Sequence, residues 1–198
     1  MKIIGIDLGT KCGVSIIETL PYQIVCRTTA FNFERKQYGM QFHAFTTELH
    51  NLLYSHSLPY PQNEHTYVFF EDVKAHSSNA AAHMYGYYRG AVQMECFKLG
   101  LQCVGVGVGT VKKHVTGKGN ASKEEVAEGA FKALFDMNAP VVGFNTNVRP
   151  PAAYMSLALD NLSHDQTDSI AIALAGLAMI NGSIERKDSS DPTRKIVF

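Results

Sequence analysis

The sequence predicts an α/β fold with a five-stranded mixed sheet and helices on both faces of the sheet. Three short β-branched runs at the start of the chain are separated by short turns, a pattern typical of an antiparallel meander. Two further strand-like runs follow, each after a stretch with helical periodicity, and two helix-start signals come last. The predicted order is therefore βββαβαβ, followed by helices.

Apolar spacing and turn residues set the bounds of the first elements. The first helix begins at Tyr38, continues with apolar residues at helical spacing, and stops before Pro59. A second helix, of about 20 residues, ends near Gly100. The five strands are predicted at residues 2–8, 12–18, 22–30, 67–71 and 101–106.

Two capping boxes mark the starts of the later helices. In this motif a Ser side chain and a Glu or Gln side chain three residues later bond each other's backbone N–H groups. Ser122 with Glu125 and Ser163 with Gln166 fit the motif. They predict helices at about residues 123–136 and 164–180.

Length and composition favour a single domain. The chain has 198 residues, no net charge and 45% hydrophobic residues, which is enough apolar material for a core and excludes a disordered chain. Residues 138–162, rich in Asn, Pro and Gly, predict a long excursion. We expect one domain over residues 1–182 and a loosely held tail over residues 183–198.

Several other classes of protein do not fit the sequence. An acid follows within the first seven residues, without a small-residue cleavage site, so no secretory signal is expected. The longest apolar run, residues 170–180, has 11 residues, short of the ~20 that a membrane-spanning helix needs. The four cysteines show no CxxC spacing, so free thiols in a reducing cytoplasm are expected.

Four carboxylates have unusual positions on the predicted elements. Asp7 lies in the apolar first strand and Glu71 at the end of the fourth, while Asp165 and Asp168 share one face at the start of the last helix. Taken singly, each has an ordinary explanation. Asp7 could form a turn and Glu71 could be an acid at a strand end, while acids in the first turn of a helix are favoured by the helix dipole. If the first and fourth strands are neighbours, however, the four converge. Four oxygen ligands suit one or two Mg²⁺ or Mn²⁺ ions.

A basic segment precedes the first capping box. Residues 110–123 contain no acid and four lysines, which are Lys112, Lys113, Lys118 and Lys123. By itself the segment is equally well a solvated lysine face or a contact with nucleic acid. Next to a carboxylate metal site, a flexible, glycine-containing basic loop favours contact with the phosphate backbone.

Together these pieces resemble the RuvC-type Holliday junction resolvases, a family with an RNase H-like fold. The resemblance rests on Asp7 in GIDLGT, Glu71 in FFEDV, the segment VKKHVTGKGNASKEEV, and Asp165 with Asp168 in HDQTDSIAIALAG. It implies that the four carboxylates are catalytic metal ligands. It also implies that the family's two functional lysines correspond to Lys112 and Lys123, with Lys74, Lys113 and Lys118 as further DNA contacts.

The resemblance implies a metal-dependent endodeoxyribonuclease that resolves Holliday junctions or related branched DNA by paired nicks, in recombination, repair or phage DNA processing. Two Mg²⁺ ions per site, replaceable by Mn²⁺, would activate the attacking water and stabilise the leaving 3′ oxygen. Asp7 is expected to bridge the ions. A homodimer would match its two-fold axis to the junction. No nucleotide cofactor and no membrane partner are expected.

Two features depart from the family pattern. Members often carry an aromatic wedge three residues after the strand acid, and this chain has Lys74 there. We therefore expect His76 or Tyr85 to take over the distortion of the junction. The excursion at 138–162 is longer than in bacterial members, which favours a phage or viral variant that acts in the bacterial cytoplasm or an infected host cell.

Three other interpretations fit the sequence less well. GIDLGT also resembles the first phosphate loop of actin-fold ATPases and sugar kinases, but those need two halves and a second phosphate loop, and 198 residues hold one half. A dinucleotide site at residues 105–109 has GxGxG spacing instead of GxGxxG. A non-catalytic junction-binding module would keep the lysines and tolerate loss of the acids, and all four acids are present.

Overall fold

The computed structural model describes residues 1–34, 37–57, 66–143 and 162–182. The strands in these ranges are β1 (Lys2–Asp7), β2 (Lys11–Thr19), β3 (Ile24–Asn32), β4 (Thr66–Asp72), β5 (Gln102–Gly107) and β6 (Val141–Gly143). The helices are α1 (Tyr38–Ser57), α2 (Asn79–Lys98), α3 (Val108–Thr116), α4 (Lys123–Asp136) and α5 (His164–Ile180). The predicted tail and residues 144–161 of the predicted excursion lie outside the described residues.

The six strands form one mixed sheet in the order β5-β4-β1-β2-β3-β6. β1, β2 and β3 are the antiparallel meander, while β4 pairs parallel with β1, β5 with β4, and β6 with β3. The predicted α/β fold and its mixed sheet are confirmed. The sheet also has a sixth strand, within the segment predicted as an excursion, because three residues are too few to show strand alternation in a sequence.

Side chains that alternate along the strands fill two cores, one on each face of the sheet. Ile3 and Phe69 belong to the core covered by α3, α4 and α5. Ile4 and Phe70, their neighbours in sequence, belong to the core covered by α1 and α2. Helices therefore cover both faces, as predicted.

Helix α5 lies so close to the sheet that backbone meets backbone. An added Cβ at Gly5 of β1 would clash with the carbonyl oxygen of Ser169, and one at Gly13 of β2 would clash with the carbonyl oxygen of Asp165. A close-packed interior cannot absorb such overlap without moving an element. Glycine at these two positions is therefore what allows α5 to lie against β1 and β2.

Three buried hydroxyl groups fix the distance of α5 from the sheet and its position along the strands. Ser15 Oγ lies 2.9 Å from Thr28 Oγ1 and 2.6 Å from Ser169 Oγ. Ser169 Oγ donates to the carbonyl oxygen of Gln166 at 2.8 Å. Since a buried polar group without a partner costs about 1–3 kcal/mol, sliding α5 along the sheet would break a satisfied network. The network therefore favours a single placement of the helix.

Both predicted capping boxes are present. The Ser122 N–H donates to Glu125 Oε2 at 2.8 Å, and the Ser163 N–H donates to Gln166 Oε1 at 3.0 Å. The reciprocal bonds from each Ser side chain are also made. Helices α4 and α5 consequently begin at the predicted residues.

The segment predicted as a flexible basic loop is in large part a helix. α3 covers Val108–Thr116 and ends at Gly117, whose φ of 79° suits glycine. The helix was missed because valine, threonine and glycine, which have low helix propensity, dominate its first half. Burial of Val111 in the core shared with α4 and α5 stabilises the helix in spite of this low propensity.

Other predictions about the chain's class can be compared with the described residues. All four cysteines are free, and Cys12, Cys26 and Cys96 are buried. Of the helices in the described ranges, none combines the length and the apolar character that crossing a lipid bilayer requires.

Replacing Gly5 by alanine should lower the free energy of unfolding by about 1–3 kcal/mol, because the new Cβ pushes α5 off β1. Gly90→Ala is the matched control. Gly90 lies in α2 with no atom within 4 Å of an added Cβ, so alanine there should raise stability by about 0.5–1 kcal/mol. Urea unfolding measures both effects, and a Gly5→Ala protein as stable as the wild type would contradict the close contact.

Candidate active site

The ends of β1 and β4 place Asp7 and Glu71 side by side. The two strands run parallel and Ile6 pairs with Phe70, so the next residues on the two strands are Asp7 and Glu71. Because side chains alternate along a strand, both carboxylates lie on the face covered by α5. The first and fourth strands are neighbours, which is the condition for Asp7 and Glu71 to converge.

Helix α5 adds Asp165 and Asp168 above these strand ends. Asp165 lies in its first turn and Asp168 one turn later. Gly13, the cross-strand neighbour of Asp7, is the residue that contacts the backbone of Asp165. The start of α5 therefore lies over the end of β1. Asp7, Glu71, Asp165 and Asp168 are called the four carboxylates below.

Asp7 is at the electrostatic centre of this group. Burial raises its pKa from 3.8 to about 8, with further increases from the charges of Asp168, Glu71 and Asp165 in that order. Lys123 acts in the opposite direction. With no cation bound, Asp7 therefore holds a proton at neutral pH in much of the population.

The pKa values of Glu71 and Asp168 are also raised, again chiefly by burial. The charge of Asp168 adds to the shift of Glu71, and that of Asp165 adds to the shift of Asp168. Lys123 lies 4.0 Å from Asp168, measured from Nζ to Oδ2, and lowers the pKa of this carboxyl group. Negative charge thus exceeds the positive charge that the chain supplies.

The chemistry of the donor set fits a hard divalent cation. All four side chains offer carboxylate oxygens, and a cation would supply the positive charge that their mutual repulsion calls for. Among the described residues, no three His, Cys, Asp or Glu side chains are close enough to form a coordination shell as they stand. The four carboxylates are therefore an electrostatic group that an ion would have to draw together.

Lys112 and Lys123 flank the four carboxylates from two helices. Lys123 is the first residue of α4, and Lys112 lies in α3, where its Nζ donates to the carbonyl oxygen of Ala121 at 2.7 Å. Both lysines lower the pKa of Glu71, so their charges reach the site. The structure brings the two predicted functional lysines to the predicted carboxylates.

The other predicted DNA-contacting lysines lie on the surface. Lys118 Nζ forms an exposed ion pair with Glu125 Oε1 at 3.0 Å. Lys113, in α3, and Lys74, just after β4, are exposed. These three side chains are open to solvent and to a large ligand, outside the group of carboxylates.

Tyr85 has a different role from the one predicted. Its hydroxyl donates to the carbonyl oxygen of Glu71 at 2.7 Å and accepts from the N–H of Val73 at 3.2 Å. The side chain is buried, and the ring of His76 packs on it with centroids 4.8 Å apart. A ring held in this way cannot act as a wedge, so the prediction for Tyr85 is wrong. It positions the strand end that carries Glu71, a role that no local sequence pattern signals.

Comparison with known proteins gives a consistent result. A family model described as crossover junction endodeoxyribonuclease RuvC matches residues 3–144, which include Asp7, Glu71 and the basic segment and end before α5. The crossover junction endodeoxyribonuclease RuvC of Campylobacter concisus (strain 13826) is 29% identical over 175 residues. That alignment covers 88% of this chain and 94% of the relative.

Solved structures with a similar fold include the RuvC of T. thermophilus in complex with a Holliday junction substrate. Its TM-score is 0.66 at 19% identity, over 92% of this chain and 96% of that one. The yeast mitochondrial Holliday junction resolvase Ydc2 has a TM-score of 0.52 at 13% identity, over 87% of this chain and 77% of that one. At these identities the likeness is one of fold alone, and it agrees with the predicted RuvC-type fold.

The raised pKa of Asp7 predicts a specific dependence of stability on pH in the presence of EDTA. With a folded pKa of about 8 and an unfolded value of 3.8, this carboxyl group binds more protons in the folded state between the two values. Its contribution to the free energy of unfolding therefore falls as pH rises through this window, by at most roughly 1.4 kcal/mol per pH unit. Asp7→Asn cannot ionise and should gain stability relative to the wild type over the same range.

The measurement is urea unfolding of both proteins between about pH 5 and pH 8, within the window in which Asp7 titrates differently in the two states. Burial raises the pKa of Glu95, but hydrogen bonds and charges from Lys98 and His50 together lower it below the ordinary value. Glu95 titrates in both proteins, so its contribution cancels in the difference. A difference in stability that does not change with pH would contradict the buried, proton-holding Asp7.

Proposed function

Because the chain belongs to the crossover junction endodeoxyribonuclease RuvC family, we propose that it cuts four-way or related branched DNA with the four carboxylates as its active site. The reaction of the family is divalent-metal-dependent hydrolysis of a DNA phosphodiester. One observation carries the assignment to these residues: two strand ends and one helix start bring the four carboxylates together so closely that three of them raise the pKa of the fourth. Burial and like charge that shift pKa values in this way cluster at functional sites.

The metal we propose is Mg²⁺, two ions per site, with Mn²⁺ able to replace it. Carboxylate oxygens are the ligands that both ions prefer, and four of them offset the charge of two divalent ions. Bound there, the ions would lower the pKa of the attacking water and stabilise the leaving 3′ oxygen. Asp7, whose pKa the other three carboxylates raise, is the residue we assign as the bridge between the two ions.

The lysines have separate tasks in this proposal. Lys123 is 62% exposed and only 4.0 Å from Asp168, so it can turn from that carboxylate to a phosphate oxygen. The Nζ of Lys112 donates to the carbonyl oxygen of Ala121 and acts on Glu71, so it lies where it would offset charge that develops on the phosphate. Lys74, Lys113 and Lys118, open to solvent, would contact the DNA backbone farther from the cut.

Two nicks in opposed strands need two active sites related by a two-fold axis, so we infer that the acting form is a homodimer. The nuclease domain in this proposal is residues 1–182, and the compartment is the one that holds the DNA, a bacterial cytoplasm or an infected host cell. We expect no nucleotide cofactor, because hydrolysis of a phosphodiester transfers the phosphoryl group to water.

Asp7→Asn and Glu71→Gln should each reduce cleavage of a labelled four-way junction by about 100-fold or more, since each removes a metal ligand. Binding of the junction should persist, because the loss of negative charge does not weaken contact with phosphates. The assay compares a junction, a replication fork and a linear duplex, each with Mg²⁺, Mn²⁺ or EDTA. Paired nicks in the junction that require metal are the expected wild-type result.

Asp72→Asn is the matched control for this experiment. Asp72 follows Glu71 directly, but it points to the opposite face of β4 and bonds Arg89 at 3.0 Å. Its removal should leave cleavage within a few-fold of the wild type, because its carboxylate is not among the four. If the wild type binds the junction but does not cut it with any of the metals tested, the proposed nuclease activity is wrong. The protein would then be a junction-binding protein without catalysis. Equal cutting of forks would broaden the substrate to branched DNA.

A further inference from the structure

A groove opens beside the four carboxylates, where β2 begins and β3 ends. Its volume is about 650 Å³. Its lining includes Lys11, Phe31, Asn32, Lys123, His164 and Asp165. Asp165 is one of the four carboxylates, so the groove is continuous with the active site and is not a separate cavity.

Two lysines and one carboxylate line the groove. Lys11 and Lys123 are 53% and 62% exposed and stand against one carboxylate in the lining, Asp165. Helices α4 and α5 both begin there, at Lys123 and His164, and their first turns add partial positive charge. Beside the negative charge of the four carboxylates, these two lysines are therefore the groups of the lining that can bind a phosphate oxygen.

Lys11 is available for such an occupant. Its Nζ lies 3.4 Å from Glu34 Oε1, in a pair whose two side chains are both about half exposed. Exposed ion pairs of this kind contribute roughly 0–1 kcal/mol, so Lys11 can exchange Glu34 for a phosphate at little cost. The position also suits this role, because Lys11 pairs with Asn32 across the strand ends that form the mouth of the groove.

The groove lies on the opposite side of Asp7 from Lys112. In the sheet, β4 with Glu71 is on one side of β1, and β2 and β3 are on the other. Lys112 acts on the carboxylate of Glu71, and Lys11 is at the β2 side. A DNA strand that crosses the four carboxylates would therefore leave the β4 side and enter the groove.

We propose that this groove holds the backbone of the cleaved strand immediately beside the scissile phosphate, and that Lys11 binds a phosphate there. The inference rests on the proposed function and extends it to a positioning residue outside the four carboxylates and the basic segment. A volume of about 650 Å³ suits a short stretch of a single strand, since small-ligand sites occupy about 300–1,000 Å³.

The test compares Lys11→Ala with Glu34→Ala in binding to a labelled four-way junction, measured by fluorescence anisotropy in EDTA. Lys11→Ala should weaken binding about 5-fold and lower the slope of log affinity against log salt by about one. Glu34→Ala should bind as tightly as the wild type or more tightly, because it frees Lys11. If Lys11 serves only its ion pair, the two variants will behave alike, which would overturn the proposal.

Two further variants separate position from bulk charge. Lys132→Ala removes an exposed lysine of α4 that does not line the groove, and it should change the affinity much less than Lys11→Ala. Lys11→Arg keeps the charge and should restore most of the affinity and the salt slope. Urea unfolding of each variant separates loss of binding from loss of folding.

Cleavage with Mg²⁺ distinguishes failure of this inference from failure of the proposed function. If the wild type cuts the junction and the Lys11→Ala protein binds and cuts it equally well, the proposed role of the groove is wrong. The proposed nuclease activity would not be affected by that result. If the wild type does not cut the junction, the proposed nuclease activity is wrong. The binding data in EDTA would then still decide whether Lys11 contacts DNA.

Discussion

The contact between helix α5 and the sheet is the constraint on which the rest of the structure depends. Glycines let the helix backbone touch the strands at Gly5 and Gly13, and on the helix side Gly176 leaves room for the ring of Phe69. The hydroxyls of Ser15, Thr28 and Ser169 then select one position along the sheet. A slip of α5 by one residue would rotate its acids by about 100° about the helix axis.

The packing of the core and the placement of the carboxylates are therefore one problem with one solution. Asp165 is held over β1 through its own backbone, by the contact with Gly13, and not through its side chain. The side chain is left free to serve a ligand. The same division holds at β4, where Tyr85 bonds the backbone of Glu71 and leaves the carboxylate unengaged. Backbone contacts fix the site, and side chains remain available for chemistry.

The sequence predicts this site where the signal is local. An acid at the end of an apolar strand, as at Asp7 and Glu71, interrupts a pattern of period two, and a capping box places the acids of α5 in register. Helix α3 escaped prediction because tertiary burial of Val111 outweighs low propensity. The groove was not predicted, because the residues that line it are far apart in the chain. They are Lys11, Asn32 and the starts of α4 and α5.

Like charge explains why the four carboxylates do not form a closed shell as they stand. Asp7 sits on a central strand and Asp168 on a helix packed into the core, so their backbones cannot separate, and repulsion is relieved by protonation and by side-chain orientation instead. If the four carboxylates hold the metal as proposed above, a divalent cation would reverse the sign of the interaction and draw the side chains together. Tyr85 holds the backbone of Glu71, so binding of an ion by these carboxylates would leave this strand end in place. The energy of ion binding is then not spent on moving strands or helices, which is the advantage of building the site on rigid elements.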